Sequence, residues 1–313
     1  MGSPQFAVPS LELLHASGQE VPAVVTQPDR PRGRNLTKQP SAVKVAARKL
    51  GLPVLQPVTT KSNEFLEEIK SFRPDLLVVV AYGEILSRAL LDIPLYGAIN
   101  LHASLLPRYR GAAPVAWAIL RGETETGATT MLLNEVMDGG PILLQERCRI
   151  LETDTTNSLT ERISHIGAPL LQTTLDILEK KVAVPVAQDV SQVTYAPKLR
   201  KEDGNIDWNK PASWTARQIR AFDPWPGVFS WFHDIRVKFR LAHCIEGTST
   251  EIPGTVVRAT NQSLVVACGE ETLLELHELQ PESKPRISAA SFIHGYHVDE
   301  KQRFYRPSIL DMT

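Results

Sequence analysis

One stretch of the sequence decides the fold, and it reads Gly97-Ala98-Ile99-Asn100-Leu101-His102-Ala103-Ser104-Leu105-Leu106-Pro107-Arg108-Tyr109-Arg110-Gly111-Ala112-Ala113-Pro114. It begins as a short apolar strand in which Asn100 and His102 are separated by one residue. A strand places two such side chains on the same face. Pro107 and Gly111 then end the strand. Polar groups at the carboxyl end of a buried strand, followed by a loop, are the usual position of ligand sites in open α/β sheets, so we predict a functional site here.

The composition indicates a globular protein of two domains. The chain has 313 residues, 42% of them hydrophobic, and a formal net charge of -1; contact with nucleic acid would therefore need a local basic patch. Cys148, Cys244 and Cys268 lack the spacing of a disulfide framework or a cysteine zinc site. No apolar run is long enough to span a bilayer, and no signal pattern opens the chain. We expect a cytoplasmic protein without a membrane partner.

Helix and strand patterns alternate through the first half of the chain. Ser41 to Leu50 and Ser62 to Phe72 have helical patterns, and the strands Val54-Leu55 and Asp75 to Ala81 follow them. Such steps predict an α/β fold with a Rossmann-like, mainly parallel sheet and helices on both faces. We assign residues 1–184 to this domain.

The second half of the chain has a different pattern of residues. Residues 185–207 are loosely patterned and predict an extended linker. Residues 208–313 contain short strands with turn signals and no helices between them, which predicts a small β-barrel of the oligonucleotide-binding type; the strands are Phe229 to Phe232, Arg236 to His243, Gly254 to Ala259, Ser263 to Ala267 and Thr272 to Glu278.

Three residues could form a catalytic group. Asp138 lies in the turn between two predicted strands and could orient the His102 imidazole, while the Asn100 amide could stabilise negative charge on a carbonyl oxygen. Together they suit transfer of an acyl-type group to an amine. A structural histidine and an ordinary Asp-Gly turn explain the same residues equally well.

Other site types have less support. Gly-x-Ser-x-Gly is absent, which disfavours a serine hydrolase based on Ser104, and Gly-x-Gly-x-x-Gly is absent, which disfavours a dinucleotide site. The histidines lack zinc-ligand spacing, so we predict no metal site. Four tryptophans between Trp208 and Trp231 favour packing over base stacking.

Two segments concentrate positive charge on an otherwise neutral chain. Both could bind phosphates, because arginine forms bidentate contacts with phosphate oxygens. Solvated loops would explain either segment alone. The basic residues are Arg30, Arg32, Arg34 and Lys38 in the first segment and Lys198, Arg200 and Lys201 in the second.

The sequence resembles the folate-dependent formyltransferases. The motifs that carry the resemblance run through both predicted domains; they are Thr26-Gln27-Pro28-Asp29-Arg30-Pro31, Val79-Val80-Ala81-Tyr82-Gly83, Asn100 to Pro107, Arg110-Gly111-Ala112-Ala113-Pro114, Met137-Asp138-Gly139-Gly140, Tyr195-Ala196-Pro197-Lys198 and Arg220 to Pro226.

The resemblance implies a reaction and its residues. It implies Asn100, His102 and Asp138 as the catalytic trio, 10-formyltetrahydrofolate as donor and the α-amine of methionine on initiator Met-tRNA as acceptor. The basic segments and the C-terminal barrel would bind the tRNA, and we expect a monomer without a metal. The residues implied for the folate are Tyr82, Gly83, Ser104, Leu105, Pro107, Val136, Met137 and Gly139.

Two alternatives stay open. One is a formyltransferase that uses the same donor and acts on a sugar or nucleotide amine. The other is a tRNA-binding protein whose α/β domain has no catalytic activity.

The first residues predict a turn that normally follows a strand. The resemblance implies a hydrophobic strand before Met1-Gly2-Ser3, in the middle of the parallel sheet. Without it, neighbouring strands would lack ladder partners. We therefore expect this sequence to be a start-site truncation or a form with impaired folding.

Overall fold

The computed structural model describes residues 1–32 and 37–306. Its contacts divide the chain into two units. The first comprises Met1–Pro114, Glu125–Arg149 and Leu159–Pro197, and the second comprises Val115–Thr124, Ile150–Ser158 and Lys198–Thr313. The predicted linker is thus shared between the units, since its part before Lys198 belongs to the first.

The first unit contains parallel and antiparallel strands. β1 (Val24–Val25) pairs in parallel with β4 (Val54–Leu55), and β5 (Leu77–Val79) pairs in parallel with β6 (Ala98–His102). The α/β fold class is confirmed. Beyond β6 the sheet is antiparallel. β7 (Glu125–Leu132) pairs antiparallel with β6, and a hairpin turn joins β7 to its next antiparallel neighbour, β8 (Ile142–Arg149). A small hairpin formed by β2 (Arg30–Arg32) and β3 (Thr37–Gln39) follows β1.

Helices flank these strands, and serine side chains begin several of them. The Ser41, Ser62 and Ser87 hydroxyls each accept a backbone N–H three residues ahead, as helix N-caps do. The helices of the first unit are α1 (Val8–Ala16), α2 (Ala42–Lys49), α3 (Asn63–Ser71), α4 (Arg88–Leu91) and most of α6 (Thr156–Glu179); α5 (Pro114–Arg121) belongs almost wholly to the second unit.

Met1 and Gly2 join the two parallel pairs. The Gly2 N–H donates to Val25 O (3.0 Å), the Met1 amine donates to Val78 O (2.6 Å), and the Val80 N–H donates to Met1 O (2.8 Å). A cavity of about 320 Å³ adjoins them; we call it the slot, and its lining includes Met1, Ser10, Leu14, Val24, Phe72 and Leu77. Burial lowers the pKa of the Met1 amine to about 5.

β6 has a different neighbour on each face. Ile99 and Leu101 are buried on one face, where Leu101 meets α6 at Gly167. A Cβ on Gly167 would lie 2.9 Å from the Leu101 side chain, so glycine permits this close approach. Asn100 and His102 therefore face the opposite side of the strand.

The second unit is an antiparallel sheet with the strand order β11-β12-β13-β10-β9-β15, and β14 pairs with β13. A bridge between Thr255 and Arg303 brings the sheet edges together, so the predicted all-β domain is confirmed as a curled sheet. Two helices accompany it, α7 (Ala212–Ala221) and α8 (Ala289–Tyr296). The strands are β9 (Val228–Phe232), β10 (Ile235–Ile245), β11 (Val256–Thr260), β12 (Ser263–Ala267), β13 (Leu273–Pro281), β14 (Ile287–Ser288) and β15 (Phe304–Tyr305).

An aromatic cluster forms much of this unit's core. Trp208 lies 5.7 Å from Phe239 and 5.8 Å from Phe304 between ring centroids, in accordance with the predicted packing role. Trp225, by contrast, is 53% exposed. Across the two described ranges, no helix has the length and apolar character needed to cross a membrane.

Candidate active site

β6 presents a histidine and an amide from one face. The His102 Nε2 lies 3.0 Å from the backbone oxygen of Tyr109. A carbonyl oxygen can only accept, so Nε2 carries the proton when the ring is neutral. Asn100 is 8% exposed, and its amide forms no hydrogen bond with any residue in the described ranges. This amide is therefore available to a ligand.

The loop between β7 and β8 supplies the carboxylate. Asp138 Oδ1 lies 3.7 Å from His102 Nδ1, an ion-pair distance rather than a hydrogen bond. Asp138 Oδ2 accepts the Gly111 N–H at 2.7 Å. The Asp138 backbone is left-handed, with a φ of 50°, a conformation that costs energy for a residue other than glycine. The three residues predicted as catalytic are thus close together.

The loop that follows β6 is held by its own hydrogen bonds. The Ser104 hydroxyl donates to Arg108 O (2.7 Å), and the Thr129 hydroxyl donates to Ser104 O (2.6 Å). Leu106 N–H donates to the Thr129 oxygen at 3.1 Å. Because Ser104 is fully buried and its hydroxyl is engaged, it shapes the loop and does not offer a free nucleophile.

The arrangement of the three side chains defines the chemistry that they can perform. An unpaired amide can donate hydrogen bonds to an oxygen on which negative charge develops. An imidazole whose Nδ1 faces a carboxylate can hold a proton there and release it nearby. The site is therefore equipped for attack on a carbonyl-type carbon.

Comparison with known proteins identifies the family. The model described as "Formyl transferase" matches residues 1–175, and the model described as "Formyl transferase, C-terminal domain" matches residues 198–297. The chain belongs to the formyl transferase family. Its relatives include two proteins named methionyl-tRNA formyltransferase. The one from Citrifermentans bemidjiense is 47% identical over 95% of this chain and 92% of the relative, and the one from Geotalea uraniireducens is 46% identical over 95% and 94%.

A solved structure shares the fold. WlaRD, described as a sugar 3N-formyl transferase, superposes with a TM-score of 0.65 at 16% identity, covering 91% of this chain and 97% of that one. At this identity the similarity supports the fold only.

The residues predicted for the folate lie in two environments. Tyr82 is 2% exposed and packs in the core with Phe65 and Leu90, and burial raises the pKa of its hydroxyl to about 12. Val136 and Met137 are 58% and 53% exposed on the loop that carries Asp138. These assignments stay predictions, as do those of Gly83, Ser104, Leu105, Pro107 and Gly139.

The basic residues predicted for tRNA belong to both units of this formyl transferase. Arg30 and Lys38 are exposed in the first unit, whereas Arg34 lies outside the described residues. Arg32 is the last residue of β2. Lys198, Arg200 and Lys201 are exposed in the second unit.

Lys44, which extends the first basic segment in the sequence, is committed to an internal pair. Its Nζ donates to both carboxylate oxygens of Asp29, at 2.8 and 2.7 Å. The Lys44 hydrogen bond, followed by that of Gln56, lowers the pKa of Asp29. Lys44 is therefore not available to bind a phosphate.

A second basic feature was missed in the sequence. Arg236, Lys238 and Arg240 alternate with buried Val237 and Phe239 on β10, and we call the three cations the basic row. Burial first, then Arg240 and Arg236, lowers the pKa of Lys238, and Lys201 contributes in the same direction. The period-two alternation of cations and apolar residues was the signal that could have revealed the row.

Among the residues that the structure describes, no group of three His, Cys, Asp or Glu side chains is arranged to hold a metal ion.

Proposed function

We propose that this chain transfers the formyl group of 10-formyltetrahydrofolate to the α-amine of methionine on initiator Met-tRNA, for translation initiation. One observation carries the proposal: Asn100, His102 and Asp138 form a cluster in this chain. Over almost its full length, the chain is similar to proteins named methionyl-tRNA formyltransferase. A tRNA-binding protein without catalytic activity would have no use for an unpaired amide beside a carboxylate-facing imidazole.

The residues act on the attacking amine and on the formyl oxygen. The amine nitrogen forms a bond to the formyl carbon, and the Asn100 amide, together with the positive charge that the His102 ring gains on accepting a proton, stabilises the resulting oxyanion. Asp138 orients the His102 ring, with its Oδ1 3.7 Å from Nδ1. The excess proton of the attacking amine passes to this pair, and the leaving nitrogen of the folate takes up a proton as its bond to carbon breaks.

The donor requires a pocket beside this pair. The unpaired Asn100 amide fits a formyl oxygen, and the exposed Val136 and Met137 side chains offer apolar contact to a flat ring. A Cβ on Gly83 would meet no atom within 4 Å, so the backbone is open there, whereas a Cβ on Gly139 would lie 2.5 Å from the Val136 side chain. When bound, the folate supplies an activated formyl group.

The basic residues fit an RNA backbone. The basic row adds to Lys201 in the second unit. Arg240 Nη1 lies 3.5 Å from Asp223 Oδ1, whereas around Lys238 the effects of Arg240, Arg236 and Lys201 are opposed, among the described residues, by Glu282 alone, so this position favours further negative charge. Phosphates would supply that charge. We therefore include Arg236, Lys238 and Arg240 among the residues that bind tRNA, together with Arg30, Arg32, Arg34, Lys38, Lys198, Arg200 and Lys201.

A transfer assay tests the proposal. Initiator Met-tRNA, elongator Met-tRNA and a free amino sugar are each offered with 10-formyltetrahydrofolate. We expect formylation of initiator Met-tRNA and far slower reaction of the other two. Equal rates on the sugar would support the sugar-amine alternative, and tRNA binding without formylation would support a binding protein.

The tRNA interface has its own test. Lys238→Gln should weaken tRNA binding and reduce the slope of log affinity against log salt by about 1, as expected for one phosphate contact. Lys70→Gln is a matched control, because Lys70 pairs with Glu67 on the exposed face of α3. An unchanged slope in Lys238→Gln would remove the basic row from the interface.

A further inference from the structure

The segment 182–197 is part of the first unit although it contains little regular structure. Val186 and Ile142 exchange two backbone hydrogen bonds of 2.8 Å. Further along, Arg110 N–H donates to Thr194 O (2.9 Å), and Ala196 N–H donates to Arg110 O (2.7 Å). We call this segment the strap. It connects the loop after β6 with the loop after β7.

Gln188 is the strap residue between the two loops. Its Oε1 accepts from Arg110 Nε (3.1 Å) and Nη2 (2.8 Å). Its Nε2 donates to Asp138 O (2.9 Å) and Gly140 O (2.7 Å). A side-chain amide offers two donors and two acceptor positions, and Gln188 uses all four. Few substitutions could reproduce this pattern.

These bonds hold the loop that carries the carboxylate. Asp138 has a left-handed backbone, so its conformation depends on external contacts. Gln188 holds the Asp138 carbonyl, while Gly111 holds the carboxylate. Arg110, whose guanidinium donates to Gln188, is only 6% exposed and lies beneath the same turn. These contacts therefore hold the backbone of the residue whose carboxylate lies 3.7 Å from His102 Nδ1.

We propose that Gln188 is a positioning residue for formyl transfer, which sets the orientation of the Asp138 carboxylate toward His102 by bridging Arg110 to the Asp138 and Gly140 carbonyls. The proposal rests on the function proposed above. Gln188 touches no reacting atom. Its loss lets the Asp138 turn relax, and displacement of a catalytic group by about 1 Å can lower a rate by 10².

Two variants and one control test this role. Gln188→Ala removes all four bonds. Gln188→Glu keeps the length of the side chain and the contact with Arg110, but it places a carboxylate oxygen against two carbonyl oxygens. Gln192→Ala is the control, because Gln192 is exposed on the same strap and contacts Asp189.

We expect both Gln188 variants to lower kcat by about tenfold to 10²-fold and to change the pH profile of kcat, while KM for Met-tRNA stays within about twofold. The ring resonances of His102 should shift in both variants and not in Gln192→Ala. The thermal unfolding midpoint of each protein shows whether the variant folds. If Gln188→Ala fails to fold, Gln188→Glu alone tests the proposal.

Wild-type kcat with an unchanged pH profile would overturn the proposal. A lowered kcat with unmoved His102 resonances would also overturn it. Failure of the wild-type chain to formylate Met-tRNA would instead refute the proposed function, and the resonances would still decide whether Gln188 positions the pair.

Discussion

The Ser10 hydroxyl and the Asn100 amide are polar groups of the first unit that have no hydrogen-bond partner among the described residues, and they differ in their surroundings. The Ser10 hydroxyl is closed off beside the slot, in a residue that is 2% exposed. The Asn100 amide lies beside a histidine, a carboxylate loop and exposed Val136 and Met137. The Ser10 hydroxyl has the cost of an unpaired group that solvent does not reach. The Asn100 amide lies where a substrate could form a hydrogen bond with it.

The backbone around the two groups differs as well. The strand end at Asn100 is braced by the strap, whose bonds fix both neighbouring loops. The slot leaves about 320 Å³ next to a buried amine. The unit is therefore well ordered by hydrogen bonds at the candidate site and loosely filled between β1 and β5.

The largest expected effect is on the rate. Asn100→Ala and His102→Ala should each reduce formyl transfer by 10² or more, because each removes a group that stabilises the oxyanion. Neither should weaken tRNA binding. Single-turnover formylation and filter binding measure the two properties, and His165→Ala on the exposed face of α6 is the control. Wild-type rates in both variants would place the chemistry elsewhere.

The next effect concerns the slot and pH. The folded-state pKa of the Met1 amine, about 5, lies below its ordinary value of 8.0, so the unfolded chain binds one more proton between these values. Stability from this group is present above the unfolded pKa and is lost as pH falls toward 5. Between about pH 7.5 and about pH 6 the free energy of unfolding should fall by roughly 2 kcal/mol. Urea unfolding at the two pH values measures this difference.

Acetylation of the amine provides the control for this effect. An acetylated amine cannot ionise, so this contribution to the pH dependence should disappear. An identical pH dependence in both forms would show that other groups account for it.

The smallest effect concerns Ser10. Ser10→Ala removes an unsatisfied hydroxyl from the wall of the slot and should raise the free energy of unfolding by about 1 kcal/mol without changing the transfer rate. Ser17→Ala, at an exposed hydroxyl that bonds to Leu14 O, is the control. A loss of stability in Ser10→Ala would mean that water or another partner satisfies the hydroxyl.

The sequence predicted local features well. The placement of Asn100 and His102 on one face followed from the alternation of a strand, and the start of α2 followed from Ser41. The two strands on either side of the Asp138 turn were predicted, but the antiparallel pairing of β6 with β7 was not, because strand direction depends on pairing between distant residues. The role of the strap was missed for the same reason, since Gln188 meets carbonyls of a turn far away in the sequence.

The sequence by itself determined the α/β and all-β halves, the family resemblance and the identity of the candidate catalytic residues, because periodicity, capping and motifs are properties of short segments. The tertiary structure alone decided that Asp138 faces His102, that Lys44 forms an ion pair with Asp29, and that Gln188 joins two loops. These outcomes depend on which backbone and side-chain groups meet across the fold, and hydrogen bonds between distant residues leave no local pattern in the sequence.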